Sequence, residues 1–150
     1  GEQAIEAVWE KHFIIRTSWV YSQFGSNFLK TMLRLASERT SLSVVSDQIG
    51  TPTYAVDLAE VLLKIVTSKT KTFGIYNFSN EGQCSWYDFA HEIFLQKDIT
   101  IDLQAISTKL YPTPAKRPAY SVLDKSKIKA TFGVNINDWK TSLNNCLKHY

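Results

Sequence analysis

Three short segments of this 150-residue chain combine residue types that could do chemistry. The first, Arg16-Thr17-Ser18-Trp19-Val20-Tyr21, follows directly on the apolar run Phe13-Ile14-Ile15. Hydroxyls and an indole at the carboxyl end of a strand can line a pocket, because α/β folds bind ligands where strands give way to loops. Pattern alone leaves that reading level with a strand that simply surfaces into a loop. The second segment, Asp47-Gln48-Ile49-Gly50-Thr51-Pro52-Thr53, reads first as a turn and helix cap, and alternatively as a shaped binding loop. The third, Tyr111-Pro112-Thr113-Pro114-Ala115-Lys116-Arg117-Pro118, carries Arg117 on a proline-stiffened loop. A guanidinium held there can offer a phosphate its fork of donors without losing much rotamer freedom. A plain proline-rich connection fits that pattern equally well.

Several other chemistries have no residues to perform them. The sequence has no Gly-x-Gly-x-x-Gly turn, no Walker A loop and no Tyr-x-x-x-Lys pair. His12, His91 and His149 share no ligand spacing with one another or with Cys84 and Cys146, so no metal site is expected. Two cysteines are too few for a disulfide scaffold and suit a reducing, cytoplasmic compartment. No apolar run approaches the ~18 residues of a membrane span, and the first residues lack the pattern of a signal peptide. Residues 1–98 carry nine basic and eleven acidic side chains, whereas residues 99–150 carry eight and three. The lysines of that basic half are scattered, which argues against nucleic acid and leaves a solvated face or a small anionic ligand.

The elements that must position these segments follow from periodicity. The composition, 44% hydrophobic and 21% charged with only 6 Gly and 4 Pro, is that of one folded domain or a part of a larger one. Helices are expected over 1–11, 27–39, 55–68, 86–96 and 125–131, with a last one after Asn137 as its cap. Ser85 followed by Asp88 forms a capping-box pattern before Trp86. Strands are expected at 13–15, 42–45, 74–78 and 101–106, with 46–53 as loop. Alternating strands and helices predict an α/β fold.

Taken in order, the segment 16–21, Gly25-Ser26-Asn27-Phe28 with Met32, the segment 47–53, and Arg117-Pro118 with Ser121-Val122-Leu123-Asp124 resemble the dTDP-4-dehydrorhamnose reductase family of the extended short-chain dehydrogenase/reductase superfamily. The resemblance covers essentially the whole chain. It implies the C-terminal portion of an NAD(P)-binding Rossmann-type fold plus a small substrate-binding domain. Residues 1–24 would end the Rossmann domain, and 25–150 would be mostly substrate domain, with 55–80 returning to the Rossmann sheet. In the family a Tyr-x-x-x-Lys pair precedes the residues matching Gly1-Glu2, so no catalytic residue is expected in this chain and the isolated chain should be inactive.

The implied reaction is NADPH-dependent reduction of dTDP-4-dehydro-L-rhamnose to dTDP-L-rhamnose, with NADH as the other possible donor. The resemblance assigns Trp19 to the sugar, Asn27 and Arg117 to the nucleotide diphosphate, and Gln48 and Thr53 to the nucleotide or its loop. Thr17 and Ser18 would lie near the nicotinamide, although no cofactor is expected on the isolated chain. A dTDP-sugar is the expected ligand, with no nucleic-acid or membrane partner and with self-association of the isolated chain. Two alternatives are a non-catalytic subunit resembling the regulatory partner of methionine adenosyltransferase, and a sibling nucleotide-sugar reductase or epimerase.

Overall fold

The structure is a computed structural model and describes residues 1–115 and 117–150. The expected alternation appears in chain order as α1 (Glu2–Val8), β1 (Phe13–Arg16), β2 (Val20–Tyr21), α2 (Phe28–Glu38), β3 (Ser41–Val45), β4 (Ile49–Gly50), β5 (Thr53–Tyr54), α3 (Ala55–Thr67), β6 (Gly74–Asn77), β7 (Cys84–Ser85), α4 (Trp86–Gln96), β8 (Asp102–Ile106), a 3-10 turn (Thr108–Leu110), α5 (Ser126–Phe132) and α6 (Trp139–Leu147). Two differences stand out. The stretch 46–53, expected as loop, contains β4 and the start of β5, each too short to leave a periodic signal. The last helix is capped by Asp138, whose carboxylate accepts from the Lys140 N–H, and not by Asn137.

Three strand pairs are parallel. β1 pairs with β6 from Phe13↔Gly74 to Arg16↔Asn77, β2 with β5 at Val20↔Thr53, and β3 with β8 from Ser41↔Asp102 to Val45↔Ile106. Parallel neighbours cannot be joined by a hairpin, so the intervening chain crosses over through helices. β4 and β7 pair antiparallel, Gly50 opposite Cys84. The capping box forms as expected: Ser85 Oγ accepts from the Asp88 N–H at 3.0 Å, and Asp88 Oδ2 accepts from the Ser85 N–H at 2.8 Å.

Two apolar cores result. One unites α2, β3, α4 and α6 through Leu29, Met32, Leu42, Phe89, Ile93, Trp139, Leu143 and Leu147. The other unites β1, α3, β6 and α5 through Val61, Ile65, Tyr76, Phe78, Ile128 and Phe132. Helix α3 meets its core with Val61 and Ile65, while Leu62 is 39% exposed and Leu63 and Val66 lie open beside it. Buried polar side chains tie the cores together. Asn80, fully buried, accepts from the Tyr54 N–H and donates to Asp57 Oδ2 on α3 and to Ser142 Oγ on α6. Each hydrogen-bonding group there has a partner, as burial requires.

Candidate functional site

The segment after β1 turns on an uncommon backbone. Trp19 has φ +47°, in the left-handed region that bulky L-residues avoid, and such strain persists only where surrounding contacts over-determine it. Its carbonyl accepts from the Thr53 N–H at 3.1 Å. The preceding Ser18 Oγ donates to the Thr51 carbonyl at 2.9 Å, and Thr17 Oγ1 donates to Thr53 Oγ1 at 3.3 Å. The first and second candidate segments are therefore one unit.

Side-chain packing completes it. The Trp19 indole lies flat on Trp86, with ring centroids 3.6 Å apart and planes 14° from parallel. Its Cε2 and Cζ2 rest against Gly50 so closely that a Cβ there would stand 2.6 Å from both. That proximity, not a special φ, demands glycine at position 50. Thr51, fully buried, donates to the Gly82 carbonyl at 2.8 Å and pins the other side of the loop.

The chain just after the third segment joins the same place. Ile49 donates to the Ala119 carbonyl and accepts from the Ser121 N–H, so residues 119–121 run beside β4 on the edge away from β7. Ser121 Oγ would stand 2.8 Å from a Cβ at Gly50, which places this segment against the Trp19 platform as well. Arg117, two residues before Ala119, is exposed, and Lys116 lies outside the described residues. The proline loop is anchored at its start by Asp47, whose carboxylate accepts from both the N–H and the hydroxyl of Thr108. The Thr108 hydroxyl, with its N–H, holds the Asp47 carboxyl below the ordinary carboxylate range despite slight desolvation.

The remaining candidates divide by what their polar groups already do. Gln48 donates to Thr108 Oγ1 at 3.0 Å and so supports the loop that carries Arg117. Thr53 is fully buried under Trp19, where it shapes the site from below. Asn27 is the cap of α2: its Oδ1 accepts from the Lys30 N–H, and its amide donates to the Ser22 and Phe24 carbonyls. Of the two cofactor candidates, Thr17 is exposed and Ser18 is half-buried with its hydroxyl engaged. Cys84, across from Gly50, is buried, and burial pushes its thiol up to about 12, so it is no nucleophile.

Trp86 had been legible only as the first residue of a helix. The signal for its second role, an aromatic partner for an unusual tryptophan, spans 67 positions and has no local pattern. Among the described residues no group of three or more potential ligands could hold a metal ion, and no helix is long and apolar enough to cross a membrane.

Parallel strand pairs, crossover helices and a site at the strand ends define an α/β protein of Rossmann type, here the C-terminal portion of that fold with a substrate-binding part. The family described as the RmlD substrate binding domain matches residues 1–150, and the chain belongs to it. A dTDP-4-dehydrorhamnose reductase from Aggregatibacter actinomycetemcomitans is 46% identical over 97% of this chain and 53% of its own length. The solved structure of a dTDP-4-dehydrorhamnose reductase ortholog from Clostridium acetobutylicum is similar, with TM-score 0.93, 42% identity, and 99% of this chain and 52% of that one covered. A dTDP-4-dehydrorhamnose reductase from Bacillus anthracis, solved in complex with NADP, has TM-score 0.92 and 36% identity over 99% of this chain and 51% of its own. The chain thus spans about half the length of the relatives it matches.

Proposed function

We propose that this chain is the substrate-binding half of a dTDP-4-dehydrorhamnose reductase, a cytoplasmic enzyme that reduces dTDP-4-dehydro-L-rhamnose to dTDP-L-rhamnose. The observation that carries this is the Trp19 platform, an indole fixed at the end of β1 and flanked by residues 49–53 and 119–121. A flat, partly exposed indole suits the apolar face of a hexose. Arg117 on its anchored loop supplies the charge that a nucleotide diphosphate requires. Gln48 and Thr53 act by shaping the loop. Asn27 acts through the helix cap, because its amide is already committed.

The names of its relatives, and the NADP bound to one of them, support NADPH as hydride donor in the complete enzyme. The residues present fit only the reacting end of such a cofactor. Thr17 is an exposed residue beside the platform, its hydroxyl bonded to Thr53 Oγ1, while no glycine-rich turn for a pyrophosphate occurs in this sequence. Residues 1–24 and 55–80 would complete the nucleotide-binding sheet, and the core of α2, α4 and α6 would form the substrate domain.

The test pairs two proteins. The complete polypeptide carrying this chain should oxidise NADPH when given dTDP-4-dehydro-L-rhamnose. The 150-residue chain alone should not, because it has no Tyr-x-x-x-Lys pair to protonate the developing alkoxide. Turnover by the isolated chain, or no turnover by the complete protein, refutes the assignment.

A further inference from the structure

Backbone hydrogen bonds hold the main chain of Trp19 but leave the rotation of its ring free. Two contacts remove that freedom: Gly50 against two of its carbons, and Trp86 across its face. Trp86 is itself held. It is the first residue of α4, enclosed by the Ser85–Asp88 capping box, and Phe28 packs on it at 4.7 Å between centroids. Phe28 in turn stacks on the fully buried Phe89 at 5.5 Å. Four aromatic rings therefore run from the candidate sugar wall into the core, and Trp86 is the link between the part that meets a ligand and the part that cannot move.

We propose that Trp86 is a positioning residue for substrate: by stacking on Trp19 it sets the orientation in which that indole meets the hexose of a dTDP-sugar. This rests on the assignment of Trp19 to the sugar. Trp86 covers one face of Trp19 and Gly50 abuts its Cε2 and Cζ2, so the sugar meets only the part of the half-buried indole that these leave open. The stack also excludes water from the covered face, and a preset wall spares the ligand the cost of ordering it. Phenylalanine at position 86 keeps a planar face of smaller area, whereas alanine or leucine offers none.

The experiment uses the complete reductase polypeptide. Trp86→Ala should raise KM for dTDP-4-dehydro-L-rhamnose, and Kd for dTDP-L-rhamnose, roughly five- to tenfold, while kcat changes less than about twofold. Trp86→Phe should recover most of the affinity. In a Trp19→Ala background the Trp86 substitution should cause no further loss, because the two act as one unit. Should W86A fail to fold, Trp86→Leu fills much of the space without an aromatic face and is read in the same way. The circular-dichroism couplet of stacked indoles should vanish in W19A and W86A alike. Unchanged KM in a folded Trp86 variant beside a weakened W19A overturns this inference and leaves the sugar assignment standing, as does full additivity of the two. Unchanged KM in W19A removes the sugar assignment and this inference together.

Discussion

Substituting Gly50 by alanine tests the platform with a single methyl group. The backbone of Gly50 is in β4 with no left-handed φ, so the usual effect of Gly→Ala would be a gain of roughly 0.4–1 kcal/mol from a less flexible unfolded chain. The structure predicts the opposite sign. The new Cβ would stand 2.6 Å from two indole carbons of Trp19 and 2.8 Å from Ser121 Oγ, where ordinary contact begins at 3.4 Å. The indole must retreat by roughly 0.8 Å, and it can do so only by sliding on or lifting from Trp86. Overpacking of this kind costs about 1–3 kcal/mol, and loss of the stack adds about 0.5–1.5. A net destabilisation of about 2 kcal/mol lowers the urea midpoint by roughly 1 M for a urea slope of about 2 kcal/mol/M. Gly25→Ala provides the contrast: φ is +64° with nothing within 4 Å, so it should cost about 1 kcal/mol and leave tryptophan fluorescence unchanged. Urea melts followed by tryptophan fluorescence read both effects. A G50A midpoint at or above that of the parent chain, with an unshifted emission spectrum, refutes the close approach.

Other outcomes follow from the same packing. Asn80→Ala strands the Tyr54 N–H and removes the amide between Asp57 and Ser142, and should destabilise the chain by roughly 3 kcal/mol in denaturant melts. Glu92 is largely buried, which alone would raise its pKa, but hydrogen bonds from Gln96 and Lys140 and the charge of Lys140 outweigh this and lower it. Its stabilising contribution is therefore complete above the unfolded value of about 4.3 and lost as pH falls through the lower folded value. The stability gap between the parent and Glu92→Gln should accordingly shrink between pH 6 and pH 3 in melts across that range. Helix α1 buries none of its residues, and Val8 and Trp9 lie exposed at its end while Leu63 and Val66 stand open on α3. Light scattering on the isolated chain should show concentration-dependent association, and Leu63→Lys with Val66→Lys should reduce it.

How far the residues announced this arrangement depends on the range of the signal. Ser85 and Asp88 lie three apart and declare the start of α4 by themselves, and the spacing of Trp139, Leu143 and Leu147 declares the buried face of α6. Trp19 and Gly50 stand in segments that residue type singles out, and Ser121 in the stretch that carries the resemblance, but nothing local says that they meet one another or Trp86. The platform exists only where strand pairing brings them together. Asn27 shows the converse. The resemblance gives it to the diphosphate and the periodicity puts it inside the helix, yet it caps α2, and that local role occupies its side-chain polar atoms. Arg117 lies between these cases, since the prolines revealed a stiff loop while the pairing of 119–121 with Ile49 tells which part of the fold that loop leaves from.

The strand pairings also set a timetable for synthesis. β3 waits for a partner about 60 residues further along, and Ile49 acquires its second neighbour only when Tyr120 arrives. Contacts of such sequence separation form slowly, because the long intervening loop must be closed before they stabilise anything. On a ribosome, β4 and the Gly50 side of the platform would stand with one edge open until the proline loop had cleared the exit tunnel. The completed Trp19 platform is accordingly among the last features a growing chain acquires, long after α2 and α4 have begun to form.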